Sequence, residues 1–233
     1  MKKYAVIVAG GSGSRMGAEM PKQFLELCGR PILWYTLNTF LSAYEDMPIV
    51  LVAPEHHRET TRALVATTAF PKRIELVIGG ATRFESVRNG LATIGEENAH
   101  GAPSPGGEES VIFVHDGVRC LVSRELIHRC YEGAVRNGSA IPVVDSRDSV
   151  RLVTAAGSEA IDRTRIKLVQ TPQTFLSTIL LPAYKADFRE SFTDEASVVE
   201  AAGHPIHLVE GEVDNIKITV PTDLTVAERV LSF

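Results

Sequence analysis

Apolar positions follow two rhythms that alternate along the chain. Residues 4–9 form an unbroken apolar run, rich in β-branched side chains and closed by Gly10-Gly11, as suits a strand buried on both faces. From Pro31 the spacing changes. Leu33, Leu37, Phe40 and Leu41 fall on one side of a helix, and Pro31 suits its first position. Ile49–Ala53 is strand-like again and Pro54 stops it; residues 55–69 carry helical spacing. Ile74–Ile78 reads as a strand ended by Gly79-Gly80, and Phe84, Val87, Leu91 and Ile94 mark the next helix. Residues 111–114, 123–136 and 140–144 then read as strand, helix and strand. Repeated strand–helix units predict an α/β fold: a Rossmann-like, doubly wound, mostly parallel sheet with helices on both faces. In such sheets ligands sit beyond the carboxyl ends of the strands.

Two segments break the pattern. Residues 95–109 are rich in Gly, Pro and Glu and read as a mobile surface loop inside one domain that spans residues 1–233. Residues 145–165 read as a β-hairpin arm projecting from the sheet. A lone hairpin is marginal in water, so the arm is expected to pack on something, a second subunit being one candidate. Two-fifths or more of the chain, 44%, is hydrophobic, enough for a substantial core. The net charge of −5 argues against a nucleic-acid partner. Cys28, Cys120 and Cys130 fit neither a zinc site nor a disulfide framework, which points to a reducing, cytoplasmic setting. The apolar run near Met1 is too short for a signal sequence, and no stretch approaches the ~20 apolar residues of a membrane span.

Candidate chemistry clusters at the predicted strand ends. After the first strand come Gly10, Gly11 and Gly13, then Arg15, Pro21 and Lys22. Glycines let backbone N–H groups approach phosphate oxygens, and Arg15 and Lys22 would offset the charge of a triphosphate and of departing pyrophosphate. It is not a Walker A loop, for no Gly-Lys pair exists, and Met16 breaks the dinucleotide fingerprint. The run His115-Asp116-Gly117-Val118-Arg119 follows the fourth strand. Its Asp116 and Arg119 either pair with each other or meet a ribose, a substrate hydroxyl, a phosphate or a metal. Gly79-Gly80 with Ser86 reads as a strand–helix turn capped by Thr82, or as a nucleobase pocket. Thr193-Asp194-Glu195 reads as a helix cap with acidic first-turn residues, and Lys217 as a solvent-facing strand lysine between Ile216 and Ile218.

Taken together the motifs resemble the 2-C-methyl-D-erythritol 4-phosphate cytidylyltransferase (IspD) family. The matching pieces run from Ala9-Gly10-Gly11-Ser12-Gly13-Ser14-Arg15-Met16 and Pro21-Lys22-Gln23-Phe24 through Gly79-Gly80 and Val114-His115-Asp116. They continue with Arg147-Asp148-Ser149, Asp162-Arg163, Gln170-Thr171-Pro172-Gln173, Thr193-Asp194-Glu195-Ala196-Ser197 and Asp214-Asn215-Ile216-Lys217. The resemblance implies transfer of CMP from CTP to a sugar-alcohol phosphate, with Mg2+ carried on the triphosphate. It implies that Arg15 and Lys22 hold the triphosphate and that Gly80, Ser86 and the backbone near Ala9 and Gly10 hold cytosine. Asp116, Arg119, Thr193 and Lys217 would hold the acceptor. Ser149 and Arg163, on or near the arm, would complete the site of the other subunit of a homodimer.

The chain departs from the family pattern at Gly117 and Cys120, where Ala and Pro are common, and at Ala81, where an acid is frequent. Gly117 is expected to loosen its loop. A phosphate nucleophile is ionised near neutrality, so repulsion and alignment are the obstacles and no general base is required. Other readings are a ribitol-5-phosphate cytidylyltransferase, a nucleotide-sugar glycosyltransferase, disfavoured because no D-x-D motif occurs, and a non-catalytic nucleotide-binding dimeric module.

Overall fold

In chain order the elements are β1 (Lys2–Val8), a small hairpin of β2 (Glu26–Leu27) and β3 (Arg30–Pro31), α1 (Ile32–Ala43), β4 (Ile49–Ala53), α2 (Arg58–Val65), β5 (Ile74–Ile78), α3 (Arg83–His100) and β6 (Ser110–Asp116). There follow α4 (Arg124–Asn137), β7 (Ser139–Asp145), the hairpin β8 (Val150–Thr154) and β9 (Gly157–Ile161), β10 (Lys167–Val169), β11 (Gln173–Leu176), α5 (Ser177–Ala183), α6 (Glu195–Ala201), β12 (Leu208–Glu210) and α7 (Pro221–Leu231). The computed structural model describes residues 1–10, 20–100 and 109–232, with the backbone alone over 95–100.

One eight-stranded sheet runs in the order β10-β7-β11-β6-β1-β4-β5, with β12 also paired to β7. The stretch β6-β1-β4-β5 is parallel throughout. β11 lies antiparallel between β6 and β7. Alternate residues of each central strand feed opposite cores, which explains the unbroken apolar runs. Ala5, Ile7, Leu51 and Phe113 meet α1 and α4 on one face. Tyr4, Val6, Val52 and Val114 meet α3, α5 and α6 on the other. The sheet is therefore covered on both sides, as the α/β pattern predicts. A third cluster of Leu27, Ile32, Val118, Cys120, Ile218 and Ala227 ties α7 and the small hairpin to the start of α1 and the loop after β6. Among the described residues no helix is long and apolar enough to cross a membrane.

Differences from the pattern reading have local causes. Pro31 is the cap residue before α1, and Ser123 caps α4 by accepting the Leu126 amide. Residues 95–100, expected in a loop, continue α3; residues 101–108 lie outside the description. The hairpin forms, pairing Val150 with Ile161 and Thr154 with Gly157, and leaves Val153 80% exposed. Residues 216–218 form no strand: Ile218 is buried against Val118, Leu27 and Ala227, and its amide bonds to the Val118 carbonyl rather than to a sheet.

The contact of α3 with the sheet depends on Gly90. A Cβ there would lie 2.8 Å from Val52 Cγ2 and 2.9 Å from Val6 Cγ1. Gly90→Val is expected to destabilise the protein by roughly 1–3 kcal/mol through overpacking, read as a lower urea midpoint at unchanged m-value.

Candidate active site

The register of the sheet brings four carboxyl ends to one rim. Val8 pairs with both Val52 and Asp116, and Ala53 pairs with Ile78. At that rim lies a cavity of about 510 Å³ whose walls include Gly10, Lys22, Gly80, Ser86, Asp116 and Lys217. A second cavity of about 900 Å³ is lined by residues 145–148 at the root of the hairpin, by residues 167–170 and 208–211, and by Arg119 and Lys217. Lys217 is thus a wall of both.

Asp116 is the electrostatic centre. Lys217 Nζ lies 3.0 Å from one carboxylate oxygen, Arg119 Nε 3.5 Å from the same oxygen, and Arg83 Nη2 3.3 Å from the other. Burial alone would raise the Asp116 pKa, but the fields of Arg83, Lys217 and Arg119 override it and hold the carboxyl well below the usual carboxylate range. Arg119 is itself lowered by burial, with Asp116 partly offsetting the effect. Beyond Asp116, Arg83 forms a bidentate pair with Glu195, which is fully buried and also accepts the Tyr184 hydroxyl at 3.2 Å. Burial works against the Arg83 charge, yet Glu195 and Asp116 keep its pKa above the ordinary arginine value.

The peptide motifs around this centre act as braces. Gln170 donates to the Glu212 carbonyl at 2.7 Å and accepts the Glu212 amide at 3.1 Å. Asn215 is buried and donates to the Thr171 carbonyl at 2.8 Å. Together they hold the segment that delivers Lys217. Gln173 accepts the Ala196 amide at 2.8 Å and donates to Asp194 at 2.9 Å, fixing the start of α6 and hence Glu195. Asp194 caps that helix by accepting the Ser197 amide, so the cap reading of the segment holds for Asp194 while Glu195 serves the ion pair. Lys22 donates to the Ile218 carbonyl at 2.8 Å, joining the chain after the glycine loop to the same segment.

At the start of α3, Thr82 and Glu85 form a capping box: the Glu85 amide donates to Thr82 Oγ1 at 3.1 Å and the Thr82 amide to Glu85 at 3.0 Å. Ser86 accepts the Gly80 amide at 3.1 Å and donates to the Thr82 carbonyl at 2.9 Å, so its hydroxyl shapes the turn beside the cavity.

The cavity walls therefore bring together Gly10, Lys22, Gly80, Ser86, Asp116 and Lys217. Arg119 joins them through Asp116 and the second cavity. Gly11, Gly13 and Arg15 lie outside the described residues. Ala9 stands behind the wall, its amide donating to Val52 and its carbonyl accepting from Gln23. Thr193 is exposed and lines neither cavity, because its neighbours Asp194 and Glu195 take the inward positions. Ser149 and Arg163 are exposed near the hairpin and also line neither; Arg163 donates to the Arg147 carbonyl. The expected loosening at Gly117 does not occur. Its amide donates to the Val8 carbonyl and its carbonyl accepts from Thr36, and a Cβ would press to 3.2 Å from the Val8 oxygen. Sequence reasoning gave no role to Arg83 or Glu195. The signal for Arg83 was its place just after a glycine turn at a strand end; Glu195 carried none beyond an acidic first turn.

The chain is similar to known proteins along nearly its whole length. The family model for 2-C-methyl-D-erythritol 4-phosphate cytidylyltransferase matches residues 4–232. The enzyme of that name from Bacteroides fragilis is 47% identical, over 99% of this chain and 100% of its own. Among solved structures, 4-diphosphocytidyl-2C-methyl-D-erythritol synthase from Anaerococcus prevotii superposes with a TM-score of 0.80 at 27% identity, covering 100% of this chain and 96% of its own. The Francisella tularensis 2-C-methyl-D-erythritol 4-phosphate cytidylyltransferase gives 0.75 at 30% identity, covering 98% and 99%.

A carboxylate depressed in the folded state contributes stability that is complete above its unfolded pKa, near about 4, and is lost as pH falls through the lower folded value. Asp116→Asn is therefore expected to cost roughly 3 kcal/mol near neutral pH, since it leaves crowded cations without their anion. Urea unfolding at stepped pH should show the gap to wild type narrowing below about pH 4. A gap that persists unchanged into strong acid would contradict the depressed pKa.

Proposed function

From the premise that the chain belongs to the 2-C-methyl-D-erythritol 4-phosphate cytidylyltransferase family, we infer that it transfers CMP from CTP to 2-C-methyl-D-erythritol 4-phosphate. The products are 4-diphosphocytidyl-2-C-methyl-D-erythritol and pyrophosphate, a step in non-mevalonate isoprenoid precursor synthesis. The family match along nearly the whole chain favours this acceptor over ribitol 5-phosphate. The observation that carries the reading is Lys217, held by Asp116 on the wall between two cavities.

CTP occupies the rim cavity, its base against the turn of Gly79, Gly80 and Ser86 and its phosphates toward Lys22 and the glycine loop with Arg15. The acceptor lies on the side of Arg119 and Lys217. Its phosphate oxygen attacks the α-phosphorus as the bond to the bridging oxygen breaks and pyrophosphate leaves. Cations on both sides of the reaction centre offset the repulsion of two anions, and the clamp supplies alignment. Among the described residues, no cluster of His, Cys, Asp or Glu is arranged to hold a metal. Among the described residues Asp116 is the carboxylate on the cavity wall, and three cations surround it. The reading carries the Mg2+ of the reaction on the triphosphate oxygens as part of the substrate, where it would draw charge from the leaving group.

The hairpin supports a homodimer in which the arm reaches the partner's acceptor cavity. Val153 and Leu152 on the arm, with Leu168, Leu208 and Val213 near the second cavity, are exposed apolar side chains that such packing would cover. Arg163 and Ser149 would then complete the neighbouring site.

Lys22→Ala is expected to lower kcat/KM roughly 100-fold or more in a pyrophosphate-release assay with CTP, magnesium and methylerythritol phosphate, while the melting curve stays near wild type. Unchanged turnover would remove Lys22 from the site. Mixing inactive Lys217→Ala and Arg163→Ala chains, with subunit exchange, should restore about a quarter of wild-type activity, because half the dimers then hold one intact shared site. No recovery would place both residues in one subunit's own site, and an Arg163→Ala chain that is active alone would place Arg163 outside the chemistry.

A further inference from the structure

His115 is fully buried at the end of β6, its ring against Phe40 at a centroid distance of 4.9 Å. Both ring nitrogens are engaged. Nε2 lies 3.2 Å from the Arg119 carbonyl, and Nδ1 lies 2.9 Å from Thr171 Oγ1. A carbonyl can only accept, so Nε2 carries a proton. In the neutral ring Nδ1 is then an acceptor, and the Thr171 hydroxyl donates to it. The lone pairs of that hydroxyl are left for the Asp116 amide, which donates to it at 3.1 Å. Every donor meets an acceptor in this arrangement. The opposite tautomer would set a ring lone pair against the Arg119 carbonyl. Burial favours the uncharged ring and lowers its pKa to about 3.

We propose that His115, locked as the Nε2–H tautomer between Thr171 and the Arg119 carbonyl, is a positioning residue that sets the turn which begins at Asp116 and presents Arg119 to the acceptor. The rest of the turn is pinned near its start. The Arg119 amide donates to the Asp116 carbonyl at 3.0 Å and the Gly117 amide to Val8 at 2.9 Å. The imidazole braces the far end, at the residue whose guanidinium reaches the second cavity. Arg119 Nη1 also donates to the Asn215 carbonyl at 2.9 Å, two residues before Lys217. A shift of the turn therefore displaces both cations that face the acceptor. The kinetic consequence rests on the reading of Arg119 as an acceptor contact; the tautomer does not.

Nitrogen NMR of histidine-labelled enzyme, with His115 assigned through its contacts to Phe40, should show a neutral Nε2–H ring that does not titrate from about pH 5 to 8. An Nδ1–H ring, or titration in that range, overturns the proposal without any variant having to fold. His115→Phe keeps ring volume but loses the donor, and should raise acceptor KM roughly tenfold or more, with a much smaller rise in CTP KM. His115→Gln keeps an N–H donor near the Nε2 place and should restore most of that loss. Equal defects in the two variants, or a wild-type acceptor KM in His115→Phe, overturn the proposal. Arg119→Ala is the reference. If it leaves acceptor KM unchanged, the reading of Arg119 fails, and the tautomer result alone decides whether His115 is the brace.

Discussion

The Asp116 carboxylate gathers Arg83, Arg119 and Lys217 from separate stretches of chain onto one point. Cations this close would repel one another without an anion between them. A carboxylate this buried would take up a proton without cations around it. Each side makes the other tolerable, and the rim of the sheet is organised by that exchange. Glu195 extends the arrangement inward by holding the other face of Arg83, so the charged centre is tied to α6 as well as to β6. What reaches the cavities is positive charge already fixed in direction, so little reorganisation is left when two phosphates approach.

The centre can exist only because the sheet register is strict. Asp116 is the last residue of β6 and stands beside Val8; a slip of one residue would turn it to the opposite face. Cores on both sides of the sheet forbid that slip. The motifs that look most chemical, Gln170 through Gln173 and Asp214 through Lys217, contribute mainly bracing: Gln170, Gln173 and Asn215 are all buried and spend their amides on backbone partners or a helix cap. Lys217 owes its place to them.

The central strands were legible because burial on both faces leaves an apolar run that few other structures would tolerate, and Ile49–Ala53 matched residue for residue; so did Ile74–Ile78, a half-buried edge strand marked by its β-branched run and the glycines after it. β10, β11 and β12 were not, since each has only three or four residues and depends on β7 or β6 rather than on its own pattern. The strand reading of residues 216–218 failed for a related reason, although the resemblance had placed Lys217 with the acceptor. The alternation of Ile216, Lys217 and Ile218 imitates a strand, whereas the lysine is turned by its bond to Asp116. The Arg83–Glu195 pair spans 112 residues, and no spacing rule could join its ends. The resemblance to a known family supplied the substrate and most of the site residues; the way the chain holds them together came from the structure.

The claim on which the account rests is that Asp116 and Lys217 act as one unit. A double-mutant cycle on kcat/KM for the acceptor, with Asp116→Asn, Lys217→Met and the double variant, measures it directly. Coupling of more than about 1.5 kcal/mol, with the double variant little worse than the poorer single one, is the predicted result. Losses that add to within about 0.5 kcal/mol would mean the two side chains act independently and would contradict the account.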